Sequence, residues 1–213
     1  MKGKVTQVDK KNEERDFYQT PYCLTKGLWD MLEGMSWGTV LEPAAGKGAI
    51  TRVLYQHGVR NITASDKYDD SCGPVKDFLA DKFDRVDTVV TNPPFKLFDE
   101  FVERAFQVAR KRVMMLGPIN YVYAQSRTKL FDEFGKDGFR LTDVITFNRK
   151  VTCEKTVRED WQFKTGAQCV AWYVWQKDAG HLDAMFHCYD VAKFLINKRR
   201  GKNVLNQKTS NTL

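Results

Sequence analysis

Residues 41–50 read Leu41-Glu42-Pro43-Ala44-Ala45-Gly46-Lys47-Gly48-Ala49-Ile50. An apolar run ends at a proline and passes through two glycines into a helical pattern, which predicts a strand, a tight turn and a helix. The glycines let the backbone approach a ligand, and the first N–H groups of the helix favour an anion. It is not a Walker or dinucleotide loop, because neither Ser nor Thr follows Lys47 and Thr51 replaces a third glycine. Taken alone, the segment is equally well explained as a structural turn.

Strand-like and helix-like segments alternate on both sides of this stretch, which is typical of a mostly parallel sheet covered on both faces. Strands are predicted at 39–43, 61–65, 75–78, 87–91, 113–116, 139–147 and 169–176. Helices are predicted at 24–32, 49–56, 98–108 and 126–134, and Gly58 is expected to close the second one. The last two strands have no helical pattern between them, so we expect an antiparallel pair joined by a long loop.

The motif Asn92-Pro93-Pro94-Phe95 follows the fourth predicted strand. Two prolines end a strand abruptly and make a rigid corner at its carboxyl end. At such a corner the Asn92 amide and the Pro93 carbonyl are able to accept hydrogen bonds from one exocyclic NH2 group, while the Phe95 ring stacks on the planar group that carries the amine. The alternative interpretation is a tight strand-to-helix turn.

Two acidic positions fit the same edge of the sheet. Asp66 lies twenty residues beyond Gly46, at the end of the second predicted strand, where a carboxylate accepts both hydroxyls of a ribose. Asp77 and Phe78 end the third predicted strand, where they are expected to accept from an adenine amine and to pack against its ring. The alternative for this pair is a helix-capping Asp beside a core Phe.

Composition narrows the class of partner. The 213 residues predict one α/β domain, and the formal net charge of +7 favours an anionic partner, nucleic acid ahead of membrane.

We expect a cytoplasmic protein, because no stretch approaches the length of a spanning helix and the first residues hold no apolar leader. Five cysteines without Cys-x-x-Cys spacing predict reduced thiols. We predict no metal site, since the three histidines lack ligand spacing.

Taken together and in this order, residues 42–48, Asp66, Asp77-Phe78 and 92–95 resemble the S-adenosylmethionine-dependent amino-methyltransferases, above all the small, phage-type DNA adenine-N6 enzymes with gamma-like motif order. The resemblance covers about residues 17–177. It implies a Rossmann-like class I methyltransferase sandwich, with a mostly parallel seven-stranded sheet and an antiparallel last strand. It also implies S-adenosylmethionine as cofactor and methyl transfer to the N6 amine of adenine in DNA.

The resemblance also implies roles for individual residues. The catalytic motif is Asn92, Pro93, Pro94 and Phe95. The implied cofactor-binding residues include an N-terminal motif at 17–21, and they are Tyr18, Thr20, Pro21, Glu42, Pro43, Ala44, Gly46, Gly48, Asp66, Asp77, Phe78 and Asn92. The implied substrate-binding residues are Phe95, Phe147, Arg149 and Lys150. Phe147 is equally well explained as the last core residue of a strand.

The sequence predicts a methyltransferase domain at 17–177 between a polar arm at 1–16 and a basic tail at 178–213. The loop at 148–167 is basic and aromatic, which favours nucleic-acid contact, the alternative being a solvated hairpin. No segment after 177 is large enough for a separate recognition domain. We therefore expect the loop and tail to select a very short site, a homodimer or second subunit to help, or the enzyme to have little specificity. The alternatives to DNA are RNA adenine-N6 or guanine-N2 methylation, protein glutamine methylation, and a catalytically silent nucleic-acid-binding subunit.

Overall fold

The carboxyl ends of six strands meet at one edge of a single sheet. The computed structural model describes residues 19–123, 137–148, 169–179 and 184–191. Its strands are β1 Val40–Glu42, β2 Ile62–Ala64, β3 Val86–Thr91, β4 Ala109–Pro118, β5 Phe139–Phe147, β6 Val170–Lys177 and β7 Met185–Tyr189. Their order in the sheet is β2-β1-β3-β4-β6-β5-β7. β6 runs antiparallel to both of its neighbours, and all other pairs are parallel.

Helices cover both faces of this sheet. They are α1 Tyr22–Met31, α2 Ala49–Gln56 and α3 Phe98–Val108, with 3-10 turns at Phe95–Leu97 and Ile119–Tyr123. Successive strand residues point to opposite faces, so Val89 packs in the cluster under α3 while Val90 packs in the cluster under α1 and α2. The described part of the chain holds no helix long and apolar enough to cross a membrane.

The predicted fold class is confirmed, and the predicted bounds of α2, α3 and β5 match the structure. The predicted antiparallel run of residues 169–176 is also confirmed, as β6. It is not the last strand, however, because β7 follows it and pairs in parallel with β5. β7 lies inside the segment 178–213 that we predicted to be a basic tail.

The prediction of a third strand at 75–78 was wrong. Only one bridge forms there, between Asp66 and Val75, and the next amide, that of Lys76, donates to the carbonyl of Asp66 at 2.9 Å. Pro74 has no N–H to extend the pairing. The Asp77 amide donates instead to the Asp81 side chain at 2.8 Å, so the chain turns away from the sheet after a single bridge.

Several predictions lie outside the described residues. They are the polar arm at 1–16, the helix at 126–134, all of the loop at 148–167 except Asn148, and the site residues Tyr18, Arg149 and Lys150.

Candidate functional site

The Asn-Pro-Pro-Phe corner lies directly at the carboxyl end of β3. Asn92 follows Thr91, the residue of β3 that pairs with Met115 of β4. Pro93 is buried, and the carbonyl of Pro94 accepts the amide of Leu97 at 2.9 Å as the 3-10 turn begins. The two prolines therefore end the strand as expected, in the middle of the sheet edge.

The side chain of Asn92 is held by Thr20. Its Nδ2 donates to the Thr20 hydroxyl at 3.0 Å, although the two residues are 72 positions apart in the sequence. Thr20 is buried, and the next residue, Pro21, precedes the first turn of α1. Because this bond occupies the nitrogen end of the amide, Thr20 distinguishes the donor end of Asn92 from its acceptor end.

Helix α1 is hydrogen-bonded to β6 and β7, and these contacts hold the segment that carries Thr20 in place. The indole nitrogen of Trp172 donates to the carbonyl of Leu24 at 2.9 Å in a buried position. The Tyr189 hydroxyl donates to the Asp30 carboxylate at 2.7 Å. A hydrogen bond to a charged acceptor is worth about 1.5–3 kcal/mol, so β6 and β7 both contribute to the position of this helix.

The glycine turn adopts the positive φ values that its residue types favour, with φ of 48° at Gly46 and 70° at Gly48. The Gly48 amide donates to the Ala45 carbonyl at 2.8 Å. A Cβ added to Gly48 would lie 2.4 Å from the Cys72 Sγ atom. A glycine is therefore required here by the backbone and by the loop that packs on it.

Asp66 joins this turn to the end of β2. One carboxylate oxygen accepts the Gly46 amide at 2.9 Å. The other accepts the amides of Tyr68 and Asp69 at 2.8 and 3.1 Å. A carboxylate offers about four acceptor positions, so the oxygen beside Gly46 retains one. The neighbouring Ser65 hydroxyl is buried with no partner within the described residues.

Glu42 is a buried carboxyl group at the end of β1. It accepts the Thr51 amide at 2.8 Å and also the Thr51 hydroxyl. Burial raises the pKa of Glu42 to about 8, although the two bonds from Thr51 act in the opposite direction. At neutral pH this group therefore carries a proton, and it fastens β1 to the first turn of α2 beneath the glycine turn.

Asp77 caps a turn at residues 78–80 that does not continue into a helix, and Phe78 lies in the core. Asp77 accepts the Leu79 amide at 3.0 Å and pairs with the Lys67 ammonium at 2.7 Å, and the hydrogen bond from Lys67 lowers the pKa of Asp77. Phe78 is buried, with its ring centroid 5.2 Å from that of Phe101. The contact of this pair with an adenine stays a prediction.

The two aromatic residues predicted to hold a substrate both lie at the site edge of the sheet. Phe95 and Phe147 are half-buried and pack on the cluster under α1 and α2. The Phe147 ring stands edge-on to Tyr189, at 6.2 Å between centroids. A Cβ added to Gly27 of α1 would lie 2.8 Å from it. Phe147 thus has a packing role in the structure, and its stacking role stays a prediction.

The remaining predicted residues, Pro43 and Ala44, connect β1 to the glycine turn, with Pro43 buried and Ala44 half-buried. The sequence reasoning missed Thr51 and Lys67, which hold Glu42 and Asp77. The helical start at Ala49 was a signal for Thr51, because a first-turn amide needs an acceptor. No local signal pointed to Lys67. Within the described residues, no cluster of His, Cys, Asp and Glu is able to hold a metal ion.

Of the comparisons with known proteins, only the one with solved structures found similar proteins, and it supports the fold. No family model and no curated protein matches the sequence. Three solved structures, each of a protein named as putative, are similar to this chain. The first is an RNA methyltransferase from Pyrococcus horikoshii, with a TM-score of 0.60 at 17% identity. The alignment covers 84% of this chain and 94% of the Pyrococcus chain.

The second is a class I S-adenosylmethionine-dependent methyltransferase from Listeria monocytogenes, with a TM-score of 0.55 at 16% identity over 81% of this chain and 65% of its own. The third is a modification subunit of a type I restriction enzyme from Vibrio vulnificus, with a TM-score of 0.52 at 13% identity over 96% of this chain and 56% of its own. At these identities the likeness shows that the chain has the class I methyltransferase fold.

Proposed function

We propose that the protein transfers a methyl group from S-adenosylmethionine to the N6 amine of adenine in DNA. The observation that carries this proposal is the position of the Asn92–Phe95 corner. It ends β3 beside the strand that leads into the glycine turn, and Thr20 orients its amide at 3.0 Å. The proposed site for the target amine, at Asn92–Phe95, and the proposed cofactor site, at the glycine turn, thus share one edge of the sheet.

The chemistry needs little more than hydrogen-bond acceptors and positioning. The N6 amine of adenine is a poor nucleophile because its lone pair is delocalised into the ring. Hydrogen bonds from the amine to the Asn92 oxygen and the Pro93 carbonyl draw the nitrogen toward tetrahedral geometry and free the lone pair. Thr20 keeps the Asn92 oxygen turned toward the amine. Holding two reactants in line contributes several kcal/mol without a strong base.

The residues around the glycine turn fit the proposed cofactor. S-adenosylmethionine supplies an electrophilic methyl group on a sulfonium. Gly46 and Gly48 leave the backbone open to close approach. The acceptor position left on Asp66 beside Gly46 and the buried Ser65 hydroxyl, which has no described partner, suit the hydroxyls of a ribose at the end of β2.

A base stacked inside a duplex does not reach such a corner, so the target adenine has to leave the helix. The half-buried ring of Phe95 provides a face for it at the start of the 3-10 turn. The net charge of +7 favours binding to the phosphate backbone. A second candidate is RNA methylation, which the likeness to the Pyrococcus horikoshii protein favours because that protein is named as an RNA methyltransferase.

The test compares wild type with Asn92→Ala, using tritiated S-adenosylmethionine and unmodified duplex DNA. We expect wild type to label the DNA and Asn92→Ala to lose transfer while calorimetry still detects cofactor binding. Asn120→Ala is the control, because Asn120 is an exposed asparagine at the carboxyl end of the neighbouring strand. Label that enters only RNA or protein would refute the DNA proposal, and a wild type that binds no S-adenosylmethionine would refute methyl transfer.

A further inference from the structure

Beside the Asn-Pro-Pro-Phe corner the protein exposes two aliphatic side chains on a rigid backbone. Leu97 is 38% exposed and Ile119 is 36% exposed. Leu97 ends the 3-10 turn after β3, and Ile119 begins the 3-10 turn after β4. Since β3 and β4 are neighbouring parallel strands, both side chains stand at the same edge of the sheet as Asn92.

Packing holds these two turns against each other. A Cβ added to Gly117 of β4 would lie 2.2 Å from the ring of Phe98, the residue after Leu97. The same ring lies 4.2 Å from that of Tyr121, centroid to centroid. The contact of Phe98 with Gly117 and Tyr121 therefore fixes the spacing of the two 3-10 turns, and Leu97 and Ile119 are exposed beside it.

Hydrogen bonds fix each turn as well. The Leu97 amide donates to Pro94, and the Ile119 amide donates to Cys169 at 2.9 Å. The Tyr173 hydroxyl donates to the Pro118 carbonyl at 2.7 Å. The two aliphatic side chains are thus exposed from turns whose backbone is held by hydrogen bonds. Single exposed aliphatic side chains are common on protein surfaces, so the position of these two at the sheet edge that holds Asn92, and not their exposure alone, bears on a partner.

The exposed cation beside this pair points to an anionic partner, and Asp99 and Glu100 follow in the first turn of α3. Lys96 is exposed and directly precedes Leu97. Proteins that open a duplex insert aliphatic side chains between base steps and hold the neighbouring phosphates with Lys or Arg. Resting on the proposed function, we propose that Lys96, Leu97 and Ile119 form a strand-opening rim. Leu97 and Ile119 contact the bases that flank the displaced adenine, and Lys96 contacts a phosphate of the same strand.

The experiment measures binding rather than methyl transfer, so that its failure is distinct from failure of the proposed function. The probe is a fluorescein-labelled 30-base-pair DNA duplex of mixed sequence, titrated by anisotropy at several salt concentrations. The variants are Lys96→Gln and the pair Leu97→Ser with Ile119→Ser. The controls are Arg110→Gln and Met185→Ser, which remove an exposed charge at the opposite edge of the sheet and an exposed apolar side chain on β7.

We expect Lys96→Gln to reduce the slope of log Kd against log salt by about 0.9, the contribution of one phosphate contact, while Arg110→Gln leaves it unchanged. The Leu97/Ile119 pair should weaken binding at least fivefold without changing the slope, and Met185→Ser should have no effect. Thermal unfolding of each variant verifies that it is folded. Wild-type binding that neither rim variant alters would overturn the proposal, as would tighter binding to an RNA duplex with no response to the rim variants.

Discussion

Replacement of Thr20 by valine tests how the site is held together. Valine keeps the shape of the side chain but removes the oxygen that accepts the Asn92 Nδ2 proton at 3.0 Å. Thr20 is 6% exposed, so water has little access to replace it. Loss of this hydrogen bond from the part-buried Asn92 amide costs up to about 1–3 kcal/mol. If Asn92 stays in place, this cost lowers the free energy of unfolding, and if it turns away, the cost enters the barrier to methyl transfer.

In the second case kcat falls by about 5- to 150-fold, since about 1.4 kcal/mol corresponds to a factor of ten. The assay measures kcat for labelled methyl transfer and the free energy of unfolding in urea, on the same preparation. Thr20→Ser is the matched control, because it keeps the hydroxyl and should stay within about threefold of wild-type kcat. A Thr20→Val variant with wild-type kcat and stability, or equal losses in the serine and valine variants, would show that the Thr20 hydroxyl does not hold Asn92 in place.

Two further predictions concern the free energy of unfolding in urea. Alanine at Gly73 would place a Cβ 1.9 Å from the backbone oxygen of Ala64, so Gly73→Ala should lower the free energy of unfolding by about 3 kcal/mol. The control Gly34→Ala, at a positive φ with open space around it, should lower it by about 1 kcal/mol. Equal losses in the two variants would contradict the packing of the 66–75 loop. Because burial raises the pKa of Glu42 from 4.5 to about 8, the folded state binds the extra proton between these values, and wild-type stability should fall as pH rises through that range. Glu42→Gln removes this dependence, so parallel pH profiles for the two proteins would show that Glu42 ionises normally.

Elements with a strong pattern were predictable from the sequence. α3 repeats apolar residues at helical spacing, and the buried positions of β5 are its apolar residues Phe139, Leu141, Val144 and Ile145, with a register shift between Leu141 and Asp143. Their predicted bounds match because the apolar residues of each element mark where it packs against the core. The Asn-Pro-Pro-Phe corner was predictable for a different reason, since proline excludes the competing backbone conformations.

Two strands could not be assigned correctly, and each has a physical cause. Residues 75–78 look like a strand, but the Asp77 backbone and side chain take local partners instead of a ladder. β7 was missed because its five residues are largely exposed at a sheet edge. Such a strand shows no apolar alternation, and only its pairing with β5 defines it.

The position of the site residues at one edge of the sheet was predictable, but the bonds between them were not. Thr20 and Asn92 were both chosen as site residues, yet their contact depends on how α1 docks through Trp172 and Tyr189. Asp66 was expected to face a ribose, which stays a prediction, and its three described side-chain hydrogen bonds come from nearby backbone amides that the sequence did not indicate. Side-chain pairings of this kind depend on tertiary placement, which spacing along the chain does not encode.

The most direct test of the central claim is mass spectrometry of nucleosides from the DNA and RNA of a methylation-deficient host that expresses the protein. This single measurement identifies the polymer, the base and the methylated atom. We expect N6-methyladenine in the DNA of cells with wild-type protein and none with Asn92→Ala. Methylated nucleosides found only in RNA, or methylation at an atom other than N6, would contradict the account.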